Sequence, residues 1–310
     1  MGAAVLGMRP SVREKHFCVT CVAARTHLCA LCVSSQLCHH PLGYNAHMHV
    51  LPDPERVAAL AHPAARDVAI EIVAETGSTN ADLLARTATL AQPTLRWALH
   101  QTAGKGRAGR TWLAPENGAL TFSLAWKLAL PLQALTGLSL AVGCVLAQQM
   151  NTFGIPARLK WPNDVLRDGA KLAGILIETA VDRHDRNAVW VVIGTGINLA
   201  RSSELSHELA RAVADASDVE RDSEQWMGAL LGGLATMLVQ FEREGFASFV
   251  AQWNALDAYA GQDVKIMDQG RVLHQGCAAG VDAEGRLLLD TADGQIAIVA
   301  GDVSLRMAED

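Results

Sequence analysis

Charge is sparse in this chain and aromatic rings are sparser still. Asp, Glu, Lys and Arg supply 19% of the residues, and Phe, Trp and Tyr only 5%. Half the residues are apolar, so this shortage of charge excludes a wholly disordered chain. A length of 310 residues is ample for a buried core and two domains. No uninterrupted apolar run of about 18 residues occurs, so no membrane span is expected. Nor does the N-terminus carry a clean apolar core with a cleavage site, because Arg9, Arg13, Glu14, Lys15 and Arg25 interrupt it. Cysteine nearly vanishes after residue 38, leaving Cys144 and Cys277 as isolated, small buried hydrophobes. A reducing, cytoplasmic setting is the resulting expectation.

Carboxylates are also missing, from Asn117 through Asn163. Between Gln101 and Lys171 there are eight Lys/Arg and three Asp/Glu, a local +5, which leaves −11 for the remainder of a chain whose net charge is −6. Overall acidity argues against a dedicated nucleic-acid binder. A concentrated positive region within it fits an anionic small molecule better than a long polyanion.

What is present begins with Gly104-Lys105-Gly106-Arg107-Ala108-Gly109-Arg110, followed by Thr111 and Trp112. Glycine allows sharp turns and close backbone approach, while Lys and Arg offer charge-assisted hydrogen bonds to anionic oxygens. Gly104-x-Gly106-x-x-Gly109 matches a dinucleotide-binding fingerprint literally, but no helical period follows it. No acid stands about 20 residues later to hold a ribose. Lys105 is followed by Gly106 rather than Ser or Thr, which excludes a Walker A loop. The bland alternative is a solvated basic turn.

Residues 1–62 differ in composition from the rest. Cys18-x-x-Cys21 and Cys29-x-x-Cys32, with Cys38-His39-His40 behind them, have the ligand types and pair spacing of a zinc knuckle. The short gap between the pairs and the lack of apolar period favour instead an unstructured extension, or translation from a start upstream of Met48. Beyond it, β-branched and apolar patterns predict strands at Val68–Ala74, Leu95–His100, Ala119–Trp126, Leu172–Val181 and Ala188–Leu199. Helices are expected after Thr79-x-x-Asp82, read as an N-cap, over Leu132–Asn151, and two or three times within Ser203–Ala258. Short strands with turns at Asp268-Gln269-Gly270, Asp282-Ala283-Glu284-Gly285 and Asp293-Gly294 fill the end. The fold class is therefore α+β, with a mixed, largely antiparallel sheet flanked by helices. The expected domains are 63–258 and a small β unit at 261–308.

Four ordered motifs carry a resemblance: Gly77-Ser78-Thr79-Asn80, the loop 104–110, Lys160-Trp161-Pro162-Asn163-Asp164, and Lys171-Leu172-Ala173-Gly174 followed by Gly194-Thr195-Gly196-Ile197-Asn198. From Ile70 to Arg306 the chain resembles the biotin protein ligases. The resemblance implies a biotin/lipoyl ligase-like catalytic domain and a C-terminal β-barrel-like domain. It also implies two acyl transfers, from biotin and ATP through biotinyl-adenylate to a lysine of a biotin carboxyl carrier protein. It assigns biotin to Ser78, Thr79, Asn80, Gln101, Lys105, Gly106, Arg107, Lys171 and Gly174, and the nucleotide to Arg107, Arg110, Trp112, Lys160, Asn163 and Asn198. Trp112 would stack on the purine, which Asn198 would read. Arg107, Lys171 and Asp164 would be catalytic, with Asp164 orienting Mg²⁺ brought by ATP or helping to deprotonate the acceptor lysine. Gly174, Gly194 and Gly196 would leave the strand backbones open to the biotin ring. Lys105 stands where an arginine is common, and Ala108 replaces another cation, so the phosphate grip departs slightly from the family pattern. Two competing readings are a lipoate or octanoate ligase of the same fold, and a biotin-sensing regulator whose Cys/His-rich start binds metal and DNA.

Overall fold

The computed structural model describes residues 51–182, 185, 187–220, 222–268, 270–299 and 304–307. Of the extension read over residues 1–62, positions 1–50, with the Cys/His pairs behind the metal, start-site and DNA readings, lie outside the described residues, while 51–62 are described and hold a helix rather than an unstructured segment. Those described belong to one compact unit, His49–Asp310.

Helix α1 (Pro54–Leu60) opens the unit where the sequence pattern gave no element. Asp53 caps it, accepting from the Glu55 N–H at 2.9 Å, and proline occupies its first turn. A bare backbone on the facing helix lets it dock. A Cβ on Gly228 would stand 2.7 Å from Leu60 Cβ, and one on Gly232 would stand 2.5 Å from the His62 nitrogen.

Seven strands form the main sheet: β1 (Ala69–Thr76), β2 (Thr94–Gln101), β3 (Ala119–Leu128), β4 (Arg158–Lys160), β5 (Asp164–Arg167), β6 (Ala170–Val181) and β7 (Val189–Asn198), in the order β1-β2-β3-β7-β6-β5-β4. Only β1 and β2 run parallel; every other neighbouring pair is antiparallel. Their connection carries α2 (Thr79–Arg86), since parallel strands need a crossover that a hairpin cannot supply. Central β7 reads Val-Trp-Val-Val-Ile and is buried along almost its whole length, as β-branched residues between two covered faces require.

Helices α3 (Leu138–Thr152), α4 (Ser202–Leu209), α5 (Ser223–Glu244) and α6 (Val250–Leu256) complete the layer. By length and composition, Leu132–Thr152 could cross a membrane. Leu138, Leu140, Val142, Cys144, Leu146 and Met150 of α3 are instead all buried in the core, so it is a helix apolar all round because it is enclosed.

The C-terminal sheet has five strands: β8 (Asp263–Asp268), β9 (Arg271–Val281), β10 (Leu287–Thr291), β11 (Gly294–Ile298) and β12 (Ser304–Met307), in the order β11-β10-β9-β8-β12. It joins the main core through Val264, Ile266, Leu287 and Leu305. The indole of Trp161 donates to the Gly285 carbonyl at 3.2 Å. The α+β class, the largely antiparallel sheet and the small terminal β unit agree with the sequence expectation.

Candidate active site

Strands β3, β7 and β6 supply the floor of the site. Ser123 is paired with Gly194, which faces Leu176, and Gly196 is paired with Gly174. Helix α2 lies over this floor. Its N-cap is Ser78, whose hydroxyl accepts from the Ala81 N–H at 3.4 Å, rather than Thr79 as the sequence spacing suggested. Asp82 does not reach back to the cap, because it is engaged by the Thr76 hydroxyl and the Arg96 guanidinium, each at 2.6 Å. Thr79 is thereby released to face the cavity.

One cavity is bordered by Ser78, Thr79, Asn80, Gln101, Lys105, Gly106, Arg107, Trp112, Ser123, Asn163, Lys171 and Gly174. Every residue assigned to biotin by resemblance is therefore at its wall. The wall is neutral and tightly bonded. Gln101 Oε1 accepts from the Thr79 N–H at 2.8 Å, and Thr79 Oγ1 and Ser123 Oγ are 2.7 Å apart. Ser123 donates to Asn80 Oδ1 at 2.6 Å.

A second cavity opens beside the first and shares Gly106, Arg107, Trp112, Asn163 and Lys171 with it. Arg107, Arg110, Lys160, Lys171, Arg211 and Arg306 border it, and Asp164 is the one carboxylate among the described residues doing so. Arg107 donates to Asn163 Oδ1 at 3.0 Å, while Asn163 Nδ2 donates to the Ile175 carbonyl at 2.9 Å. Lys171 Nζ rests 2.5 Å from Asp164 Oδ1 and 5.8 Å from the centre of the Trp112 ring. Lys160 lies over the Tyr259 ring. A cleft this rich in cations can neutralise a triphosphate and a carboxylate held close together.

The cationic loop is a tight hydrogen-bonded turn. Gly106 N–H donates to the Arg110 carbonyl at 2.7 Å and Trp112 N–H to the Gly104 carbonyl at 2.9 Å. Two glycines are required here. A Cβ on Gly104 would approach the Trp112 carbonyl oxygen to 2.6 Å, and Gly109 has φ of +71°.

Three expectations change. The space above Gly194 and Gly196 is filled from within, since a Cβ there would stand 2.3 Å from Asn80 Oδ1 and 2.2 Å from the Trp112 ring. These glycines seat the pocket's own side chains rather than leave a bare track for a ring. Trp112 borders both cavities, and its Nε1 is buried with no hydrogen-bond partner. Asn198 borders neither cavity. Its Nδ2 donates to the carbonyls of Lys171 and Ala214, both at 3.2 Å, so its amide braces the backbone at Lys171. For Asp164, the ion pair adds a third role, holding Lys171, to the metal and proton-transfer roles expected.

Ser123, Arg211 and Arg306 escaped the sequence reading. A signal for Ser123 existed: Thr121 and Ser123 recur at strand spacing inside an otherwise apolar β3. Arg211 follows α4 and Arg306 sits on β12, outside any motif.

Six cations around a single carboxylate, among the described residues, suit the second cavity to binding an anion. Comparison with known proteins identifies the family. The family model for the biotin/lipoate A/B protein ligase family matches residues 72–198, and that for the biotin protein ligase C-terminal domain matches residues 259–306. The chain is 36% identical over 236 residues to the bifunctional ligase/repressor BirA of Escherichia coli K12, covering 75% of this chain and 72% of that one. It is 36% identical over 241 residues to the biotin–[acetyl-CoA-carboxylase] ligase of Mycobacterium tuberculosis, covering 76% and 88%. Among solved structures, the biotin protein ligase of Aquifex aeolicus in complex with biotin and ATP superposes with a TM-score of 0.66 at 27% identity, over 77% of this chain and 99% of that one. The chain belongs to the biotin protein ligase family.

Proposed function

We propose that this protein is the ligase that joins biotin to one lysine of a biotin carboxyl carrier protein, using ATP in an adenylyl transfer followed by an acyl transfer. The carrying observation is the pairing of a cavity with one neutral, hydrogen-bonding wall and a strongly cationic cavity beside it, joined at Lys171 and Arg107, which border both. In the first transfer, a carboxylate oxygen of biotin attacks the α-phosphorus of ATP, and pyrophosphate leaves. Both reactants are anions, so Lys171 and Arg107 serve by cancelling their repulsion; one such contact contributes roughly 10²–10³ in rate. Arg110, Lys160, Arg211 and Arg306 surround the departing pyrophosphate. In the second, the carrier's amine attacks the acyl carbon, loses a proton, and AMP leaves.

Mg²⁺ enters with ATP, held mainly by phosphate oxygens. A single carboxylate, Asp164, fits that mode, in which the protein adds only one or two ligands. The Trp112 ring, with its unpartnered Nε1, is the surface against which the purine packs. Residues 63–258 form the catalytic domain and 261–308 the small β domain that delivers Arg306. The expected setting is the cytoplasm, where ATP is abundant.

A lipoyl substrate is disfavoured by the wall of amide and hydroxyl groups, which suits a ureido ring and would be left unpaired by a dithiolane. Incubation with biotin, Mg-ATP and a carrier domain should add one biotin to the carrier, read by mass. Transfer of lipoate at an equal or greater rate would refute the assignment. A mixed anhydride reacts with water, so the loop that carries Arg107 should also shield the adenylate; Arg107→Gly should form adenylate more slowly and release it to solvent, and retention equal to the unmutated protein would contradict that shielding.

A further inference from the structure

The neutral wall ends in a charged group that the proposed mechanism does not use. Glu178, half-buried on β6, accepts a hydrogen bond from Asn80 Nδ2 at 2.9 Å on Oε2. Asn80 is 3% exposed and Ser123 fully buried, so the contact closes an enclosed network.

An asparagine amide can present its two ends in either order, and its partners decide which. An ionised carboxylate only accepts, so Glu178, with the more distant Leu176 carbonyl at 3.4 Å, demands the NH₂ end. Asn80 Oδ1 must then face Ser123, whose single hydroxyl proton is spent there at 2.6 Å. Ser123 Oγ is left to accept from Thr79 Oγ1 at 2.7 Å. The Thr79 hydroxyl also lies 3.1 Å from Gln101 Oε1, which accepts from the Thr79 N–H as well. Gln101 is thereby turned with its NH₂ end beside Gly104, at the mouth of the loop. The carboxylate thus sets the direction of the Asn80, Ser123 and Thr79 side-chain donors, while the Thr79 backbone N–H orients Gln101.

We propose that Glu178 is a positioning residue for biotin recognition: acting through Asn80, it fixes the donor order that the ureido ring meets. This rests on the function proposed above. Reversal of Asn80 would put its carbonyl against the Glu178 carboxylate and the Leu176 carbonyl, acceptor facing acceptor, and would send the Ser123 and Thr79 hydroxyl protons the other way, toward Thr79 Oγ1 and Gln101 Oε1. A buried acceptor left without a donor is what makes a polar site selective.

The test has two arms. In ligand-free protein, the Asn80 side-chain amide signal, assigned with Asn80→Ala, should shift and exchange faster with solvent in Glu178→Leu. In turnover, Glu178→Leu should raise the KM for biotin about 10-fold, with kcat and the KM for ATP within about 2-fold. Glu178→Gln keeps an acceptor and should restore most of the affinity, and in the Asn80→Ala background Glu178→Leu should add nothing. An unmoved amide signal overturns the network itself. A moved signal with unchanged biotin KM, an equal rise in ATP KM, or a full effect without Asn80 overturns its role in recognition. Failure of the unmutated protein to use biotin at all overturns the proposed function, and with it the purpose assigned to Glu178.

Discussion

Along one wall of the cleft, Ser78, Thr79, Asn80 and Ser123 are each 4% exposed or less and bonded to one another or to the helix they cap. Across from them Lys105, Arg110 and Arg211 are exposed, and Arg107 and Lys171 half-buried. The first wall is preorganised and neutral, so it discriminates by leaving a wrong ligand's partners unpaired. The second concentrates charge that solvent and salt can reach, so it contributes attraction and transition-state stabilisation. Recognition and activation are therefore separable by mutation, with Lys171 at the seam.

The sharpest way to break this division is Lys171→Ala. Adenylate formation should fall roughly 10²–10³-fold while biotin still binds, measured by single-turnover kinetics and calorimetry. Comparable loss of biotin binding would merge the two walls. Gly194→Ala should act in the opposite sense, since its Cβ would stand 2.3 Å from Asn80 Oδ1 and displace the acyl wall. Its biotin KM should rise at least about 10-fold, with a smaller change in the KM for ATP. Ionic strength sharpens the contrast further: between about 0.05 and about 0.5 M salt, the KM for ATP should rise several-fold and that for biotin less than about 2-fold.

The smallest effect lies behind the sheet. Burial pushes the Cys144 thiol up from its ordinary 9.0 to about 12. As the unfolded chain gives up this proton above pH 9.0 and the folded one does not until about 12, stability should fall as pH rises through that interval. Below it the folded protein should leave Cys144 unalkylated; rapid modification at neutral pH would contradict the enclosed core.

Much of this was legible from residue pattern. Long alternating or β-branched runs such as Val189–Asn198 gave strands, and ordered motifs gave the anion loop and Lys171. Other features depend on distant partners. Helix α1 is short and docks where Gly228 leaves room for Leu60 and where Arg56 pairs with Asp222 and Glu224. The capping role passed from Thr79 to Ser78 because Arg96, fourteen residues beyond Asp82, holds that carboxylate. Asn198 looked like a base-reading amide, yet its Nδ2 is occupied by two backbone carbonyls brought together only by folding. Arg211 and Arg306 reach the cleft from separate elements, with no spacing to announce them.

The most direct measurement offers biotin or lipoate, with Mg-ATP and no carrier, and follows pyrophosphate release in a single turnover. A burst of about one pyrophosphate per active site with biotin and little with lipoate is expected, because the neutral wall admits one acid to the cations. Equal bursts with both acids, or none with biotin, would contradict the account.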